Sequence, residues 1–155
     1  MQSTFIATLA VASAAAMALP ANTNTTTALT AETNCEGAWS CSGYAPSNTN
    51  QLLQEQVQII IEKLGGDAPI GGGQIACVPA TSLYHGSFCA FYQDGANGTA
   101  QDVYNELGEL INYGCTGCGS VSTNPGILTV NYVSNACCPG DCVCWNTVMN
   151  SQAQQ

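Results

Sequence analysis

The chain has 155 residues, ten of them Asp or Glu against one lysine, Lys63, and no arginine, for a formal net charge of −9 at pH 7. Phosphate backbones and anionic lipid surfaces are both held by several Lys and Arg side chains acting together, so nucleic acid is excluded as a partner and attraction to charged membrane is not expected. All ten cysteines, an even number, follow residue 34, the pattern of a disulfide framework built in an oxidising compartment.

Phe5 to Ala18 is an apolar run too short to cross a bilayer and placed where a secretory signal sits. Ala16-Met17-Ala18 supplies small residues for cleavage after Ala18, which makes residues 1–18 the signal peptide, although no Lys or Arg precedes the run. No later segment offers about 18 consecutive apolar residues, so stable membrane insertion is not expected and the mature chain reads as extracellular. Residues 19–34 are rich in Ala, Asn and Thr without apolar periodicity and read as a disordered leader. Asn24-Thr25-Thr26 and Asn97-Gly98-Thr99 are acceptor sequences that make Asn24 and Asn97 glycosylation candidates.

The length that remains suits one domain, residues 35–145, acting as a monomer and followed by a C-terminal tail, 146–155. Cys35 to Cys41 is a short segment anchored at both ends, with a first strand expected near Trp39. From Gln51 to Leu64, Leu53, Val57, Ile60, Ile61 and Leu64 recur at helical spacing, with Asn50 or Thr49 as the start and Gly65-Gly66 as the stop. Gln74 to Val78 and Ser87 to Tyr92 read as strands. Thr99 with Asp102 three residues on has capping-box spacing and opens a helix to Tyr113, with Val103, Leu107, Leu110 and Ile111 on one face and Gly114 as its end. Ile127 to Val133, bounded by Pro125-Gly126 and Ser134-Asn135, is a strand. The expected fold class is α+β: an α/β sandwich in a split βαβ order, with two helices on one face of a small antiparallel sheet.

The residues that carry chemistry point mostly to structure. Cys115-Thr116-Gly117-Cys118 has the spacing of half a zinc site or a redox dithiol, and the tail Cys137-Cys138-Pro139-Gly140-Asp141-Cys142-Val143-Cys144 invites a metal reading. The compartment argument makes both of them bridges. Cys35, Cys41, Cys77, Cys89, Cys115, Cys118, Cys137, Cys138, Cys142 and Cys144 are all expected in disulfides, and ten cysteines pair in about 945 ways, so spacing alone leaves the connectivity open. His85, the single histidine, has no nucleophile elbow to serve, and nothing selects Glu36 and Asp94 as a hydrolytic carboxylate pair. Asp102, Glu106 and Glu109 share one face of the second helix, opposite its apolar stripe, and read as a solvated acidic face rather than a calcium site. No catalytic group, cofactor or metal is therefore expected, and the chain does not read as an enzyme.

Several ordered fragments together resemble one family, the KP-four type killer toxins, first known as virus-encoded toxins of a smut fungus. Cys35-x5-Cys41 is similar to the family's opening pair. Ile111-Asn112-Tyr113-Gly114-Cys115-Thr116-Gly117-Cys118-Gly119-Ser120 is similar to its helix end and paired cysteines, and Leu128-Thr129-Val130-Asn131-Tyr132-Val133 with Cys137 to its closing strand. The resemblance runs from about Cys35 to Cys138 and does not reach the tail from Pro139. It implies an α/β sandwich, bridges from Cys35 and Cys41 to Cys115 and Cys118, and a bridge from Cys77 to Cys137 or Cys138. It also implies a secreted fungal toxin that arrests growth of competing fungi or plant cells, with an unknown cell-surface target and an association with calcium channels. The family's toxic lysine maps to the stretch Gln74-Ile75-Ala76, which carries no cation.

A structural or surface-active cell-wall protein without toxin activity is the alternative. Hydrophobins carry eight cysteines with two adjacent pairs, whereas this chain has ten with one, Cys137-Cys138.

Overall fold

A computed structural model describes residues 32–81, 85–137, 140 and 142–144. The signal segment, Asn24, Cys138 and the tail from residue 146 lie outside the described residues.

The chain order is β1 (Thr33–Asn34), a 3-10 turn (Trp39–Ser42), α1 (Thr49–Leu64), β2 (Pro69–Ile70), β3 (Gly73–Pro79), β4 (Ser87–Gln93), β5 (Gly98–Thr99), α2 (Ala100–Tyr113), β6 (Gly119–Ser122), β7 (Ile127–Val133) and β8 (Cys142–Val143). Six strands form one antiparallel sheet in the order β1-β6-β7-β4-β3-β8, and β2 pairs with β5 as a separate ribbon. The α+β class, with both helices packed on one face, is the expected architecture.

Its physical basis is alternation meeting helical periodicity. Leu53, Val57 and Ile60 from α1 and Val103, Leu107 and Leu110 from α2 bury against Phe88, Ala90, Leu128 and Val130, every second residue of β4 and β7. The helices are also tied by polar bonds: Gln54 Nε2 donates to the carbonyl of Tyr104 at 2.9 Å, and buried Asn50 donates from Nδ2 to the carbonyl of Cys115 at 2.7 Å. Helix α2 begins with the capping box that the sequence predicts, Asp102 substituting for Glu. Thr99 Oγ1 accepts from the Asp102 amide, and the Asp102 carboxylate accepts from the Thr99 amide at 2.8 Å. It ends at Gly114, whose φ of 97° is the left-handed conformation a side chain would resist.

Four expectations change. The first strand is not near Trp39, where the chain makes a 3-10 turn, but at Thr33–Asn34, inside the segment read as leader, because Thr33 and Asn34 pair with Val121 and Ser120. Helix α1 begins at Thr49, one of the two starts expected, but the cap position falls on Asn48, which makes no side-chain capping bond. The chain beyond Pro139, which the family resemblance does not reach, belongs to the sheet: Cys142 and Val143 pair with Cys77 and Ala76 at its edge. Finally, Cys77 bonds to Cys89, not to Cys137 or Cys138, because β3 and β4 set the two residues directly opposite in register.

Candidate functional site

The bridges divide into two groups. Cys35–Cys115 and Cys41–Cys118 fasten the segment after β1 to the end of α2, closing loops of 80 and 77 residues. Cys77–Cys89 and Cys137–Cys144 close loops of only 12 and 7 residues on the sheet face away from the helices. Cys142 is also disulfide-bonded, and among the described residues no cysteine is free. The Cys115/Cys118 spacing therefore holds neither zinc nor a dithiol: each cysteine serves a different bridge. Cys77, Cys137 and Cys144 bring their sulfurs within 4.8 Å of one another, yet all three are oxidised and offer no thiolate to a metal.

Gln74 fixes how the C-terminal segment lies on this sulfur cluster. Its Oε1 accepts from the Cys137 amide and its Nε2 donates to the Asn135 carbonyl at 2.9 Å. Ile75 and Ala76 are fully buried. The stretch Gln74-Ile75-Ala76 is thus used inside the fold, two residues in the core and the third holding the C-terminal segment.

The other half of that sheet face is different. Asn34, Gln93, Ser120, Ser122, Thr129 and Asn131 share it by alternation with one apolar residue, Ile127. Thr129 Oγ1 donates to Gln93 Oε1 at 2.8 Å and lies 3.3 Å from Ser120 Oγ. Asn131 Oδ1 accepts from the Ala38 amide at 3.0 Å, which seats the segment carrying Trp39 against β7. Gly37 permits this approach, since a Cβ there would lie 2.6 Å from Cys118 Cβ and 2.7 Å from Cys41 Sγ. Trp39 packs edge-on to Tyr44 at 5.6 Å between ring centroids yet is 69% exposed. A groove of about 450 Å³ runs over the polar half. It meets, at Glu36 and Gly37, a hollow of about 580 Å³ walled by Trp39 and the two long-range bridges.

The remaining candidates separate. His85 is exposed, and its carbonyl accepts from the Tyr132 hydroxyl. Glu36 lies in the groove, whereas Asp94 sits in the turn after β4 with a φ of 55°, so they do not form a pair. Asn97 is exposed in the loop before β5, compatible with a sugar. The acidic face of α2 is not uniformly solvated. Glu106 is half-buried and accepts from the Tyr92 hydroxyl at 2.9 Å. Burial pushes its carboxyl from the ordinary 4.5 up to about 7, Asp102 and Glu109 push the same way, and the Tyr92 bond opposes them. Burial, then Glu106, raise the Tyr92 hydroxyl in turn. Sequence spacing missed this because Tyr92 comes from β4, across the core.

This is a small α+β protein stapled by disulfides. Residues 14–134 match the family model Kp4, the killer toxin Kp4 family, and the chain belongs to that family. No curated protein matches it. Among the described residues, no helix is long and apolar enough to cross a membrane.

Proposed function

We propose that the chain is an exported growth inhibitor of the killer-toxin kind, released after Ala18 and acting on competing fungal or plant cells through a surface target. The observation that carries this reading is the family match over residues 14–134, borne on a fold whose two long-range bridges are those the resemblance implies.

Charge argues against simple blockade of a calcium channel. A cation pore presents carboxylates, and a protein that plugs it electrostatically needs Lys or Arg at the contact. Here Gln74-Ile75-Ala76 stands where the family lysine falls, and Lys63 occupies the last turn of α1, where it complements the helix dipole. The net charge of −9 repels the approach.

Purified protein applied to fungal and plant cells should arrest growth, without relief by added calcium and equally with Lys63→Ala. Relief by calcium together with loss of activity in that variant would establish channel blockade instead. No arrest on any cell, with adsorption at an air-water interface, would favour the structural wall protein.

A further inference from the structure

The groove over β1, β6 and β7 has the chemistry of a binding site, and none of the growth-inhibition reading depends on it. Two carboxylates, Glu32 and Glu36, stand along it, and no Lys, Arg or His is among the described residues that line it. Its floor is Ser120, Ser122, Thr129 and Gln93. The hydroxyls of Ser120 and Ser122 both donate and accept and Gln93 carries amide donors at Nε2, so these keep capacity for a ligand hydroxyl after bonding a neighbour, while Thr129 is buried and positions Gln93 and Ser120. At the end that Glu36 and Gly37 share with the second hollow, Trp39 exposes a flat ring that packs edge-on against Tyr44, next to the Ala38 amide that Asn131 holds.

We propose that this groove binds a cationic amino-sugar chain, a β-linked glucosamine polymer with free ammonium groups. The ammonium groups meet Glu32 and Glu36, the sugar hydroxyls meet the Ser, Thr and Gln floor, and the apolar face of one pyranose lies on Trp39, where a nearby ammonium adds cation–π attraction. Charge complementarity excludes acidic polysaccharide. A basic peptide would satisfy the carboxylates but suits the floor poorly. The groove lies on the face of the sheet, where backbone groups are already paired within the ladder, so strand addition is closed to it, and Ile127 is its one large apolar lining residue.

The test is titration calorimetry of the disulfide-intact mature protein with glucosamine hexamer, N-acetylglucosamine hexamer, cellohexaose and hexalysine, at low and physiological salt. The expected result is preference for the glucosamine hexamer over all three others. Trp39→Ala, which leaves charge unchanged, should weaken it roughly tenfold, within the range of one lost ring contact with a cation. Glu36→Gln should weaken it several-fold, while Glu55→Gln, a charge-matched change on the exposed face of α1, should not. Circular dichroism checks that the variants fold, and amide exchange on the wild type, which needs no variant, should show protection in β6 and β7 on binding. Equal binding of hexalysine with no effect of Trp39→Ala, preference for the acetylated or glucose hexamers, or no binding would each overturn the proposal. A growth-inhibition result of either sign leaves it standing.

Discussion

The face of the sheet turned away from the helices is two surfaces. Around β3, β4 and β8 it is dry and sulfur-rich: Cys77, Cys89 and Cys144 are buried together, Phe91, Val133 and Ala136 pack against them, and the C-terminal segment covers them. Around β1, β6 and β7 it is wet, built of hydroxyls and amides, and open. The same alternation generates both halves, so the difference is one of residue choice alone. A sheet needs only one face buried to hold together. What the second face carries is then available to other purposes, and this chain gives half to cross-links and half to a surface that can meet a partner.

The largest effect separates the bridges of the two regions. Replacing both members of Cys35–Cys115 by Ser releases an 80-residue loop and should cost about 4 kcal/mol, whereas the same change at Cys137–Cys144, a loop of 7, should cost about 2 kcal/mol. Denaturant melts give the comparison, and equal losses would show that the stapled half is held by more than chain entropy. Gln74→Ala comes next. It deletes two hydrogen bonds that seat the C-terminal segment and should lower stability by about 1 to 2 kcal/mol, with faster amide exchange at Cys137 and in β8 but not in β6.

The smallest effect is a slope with pH, on the helix side of β4. Glu106 binds its proton more tightly folded, at about 7, than unfolded, near 4.5. Its contribution is therefore fully present below about pH 4.5 and is lost as pH rises through 7. Melts across that window should show stability falling with pH, and Glu106→Gln should flatten the fall. An unchanged slope would mean that other carboxylates set it.

The long elements were legible because each satisfies one period over several turns or residues. Val103, Leu107 and Leu110 announce α2, Thr99 and Asp102 its start, and Ile127 to Val133 its own strand. Strands β1, β2, β5 and β8 have two residues each and carry no period, while β6, Gly119–Ser122, opens on Gly and has Val121 as its one strongly strand-favouring residue. The groove was hidden for a related reason. Gln93, Ser120 and Thr129 come from three strands and become neighbours only through register, as does the Tyr92 to Glu106 bond. The Cys77 to Cys89 bridge required knowing that β3 and β4 pair, and the family resemblance pointed elsewhere.

The strand order has a consequence for solubility. Both edges of the six-stranded sheet are two-residue strands, β1 on one side and β8 on the other, and the three seven-residue strands β3, β4 and β7 are all interior. An edge that short gives an incoming chain little ladder to copy, and each is pinned by cysteines next to or within it, Cys35 on one side and Cys142 and Cys144 on the other. Among the described residues, crowded molecules of this chain therefore meet at edges that offer little template for sheet-to-sheet growth, and reduction, by freeing β1 and β8, is expected to uncover β6 on one side and the seven-residue β3 on the other and to favour clumping.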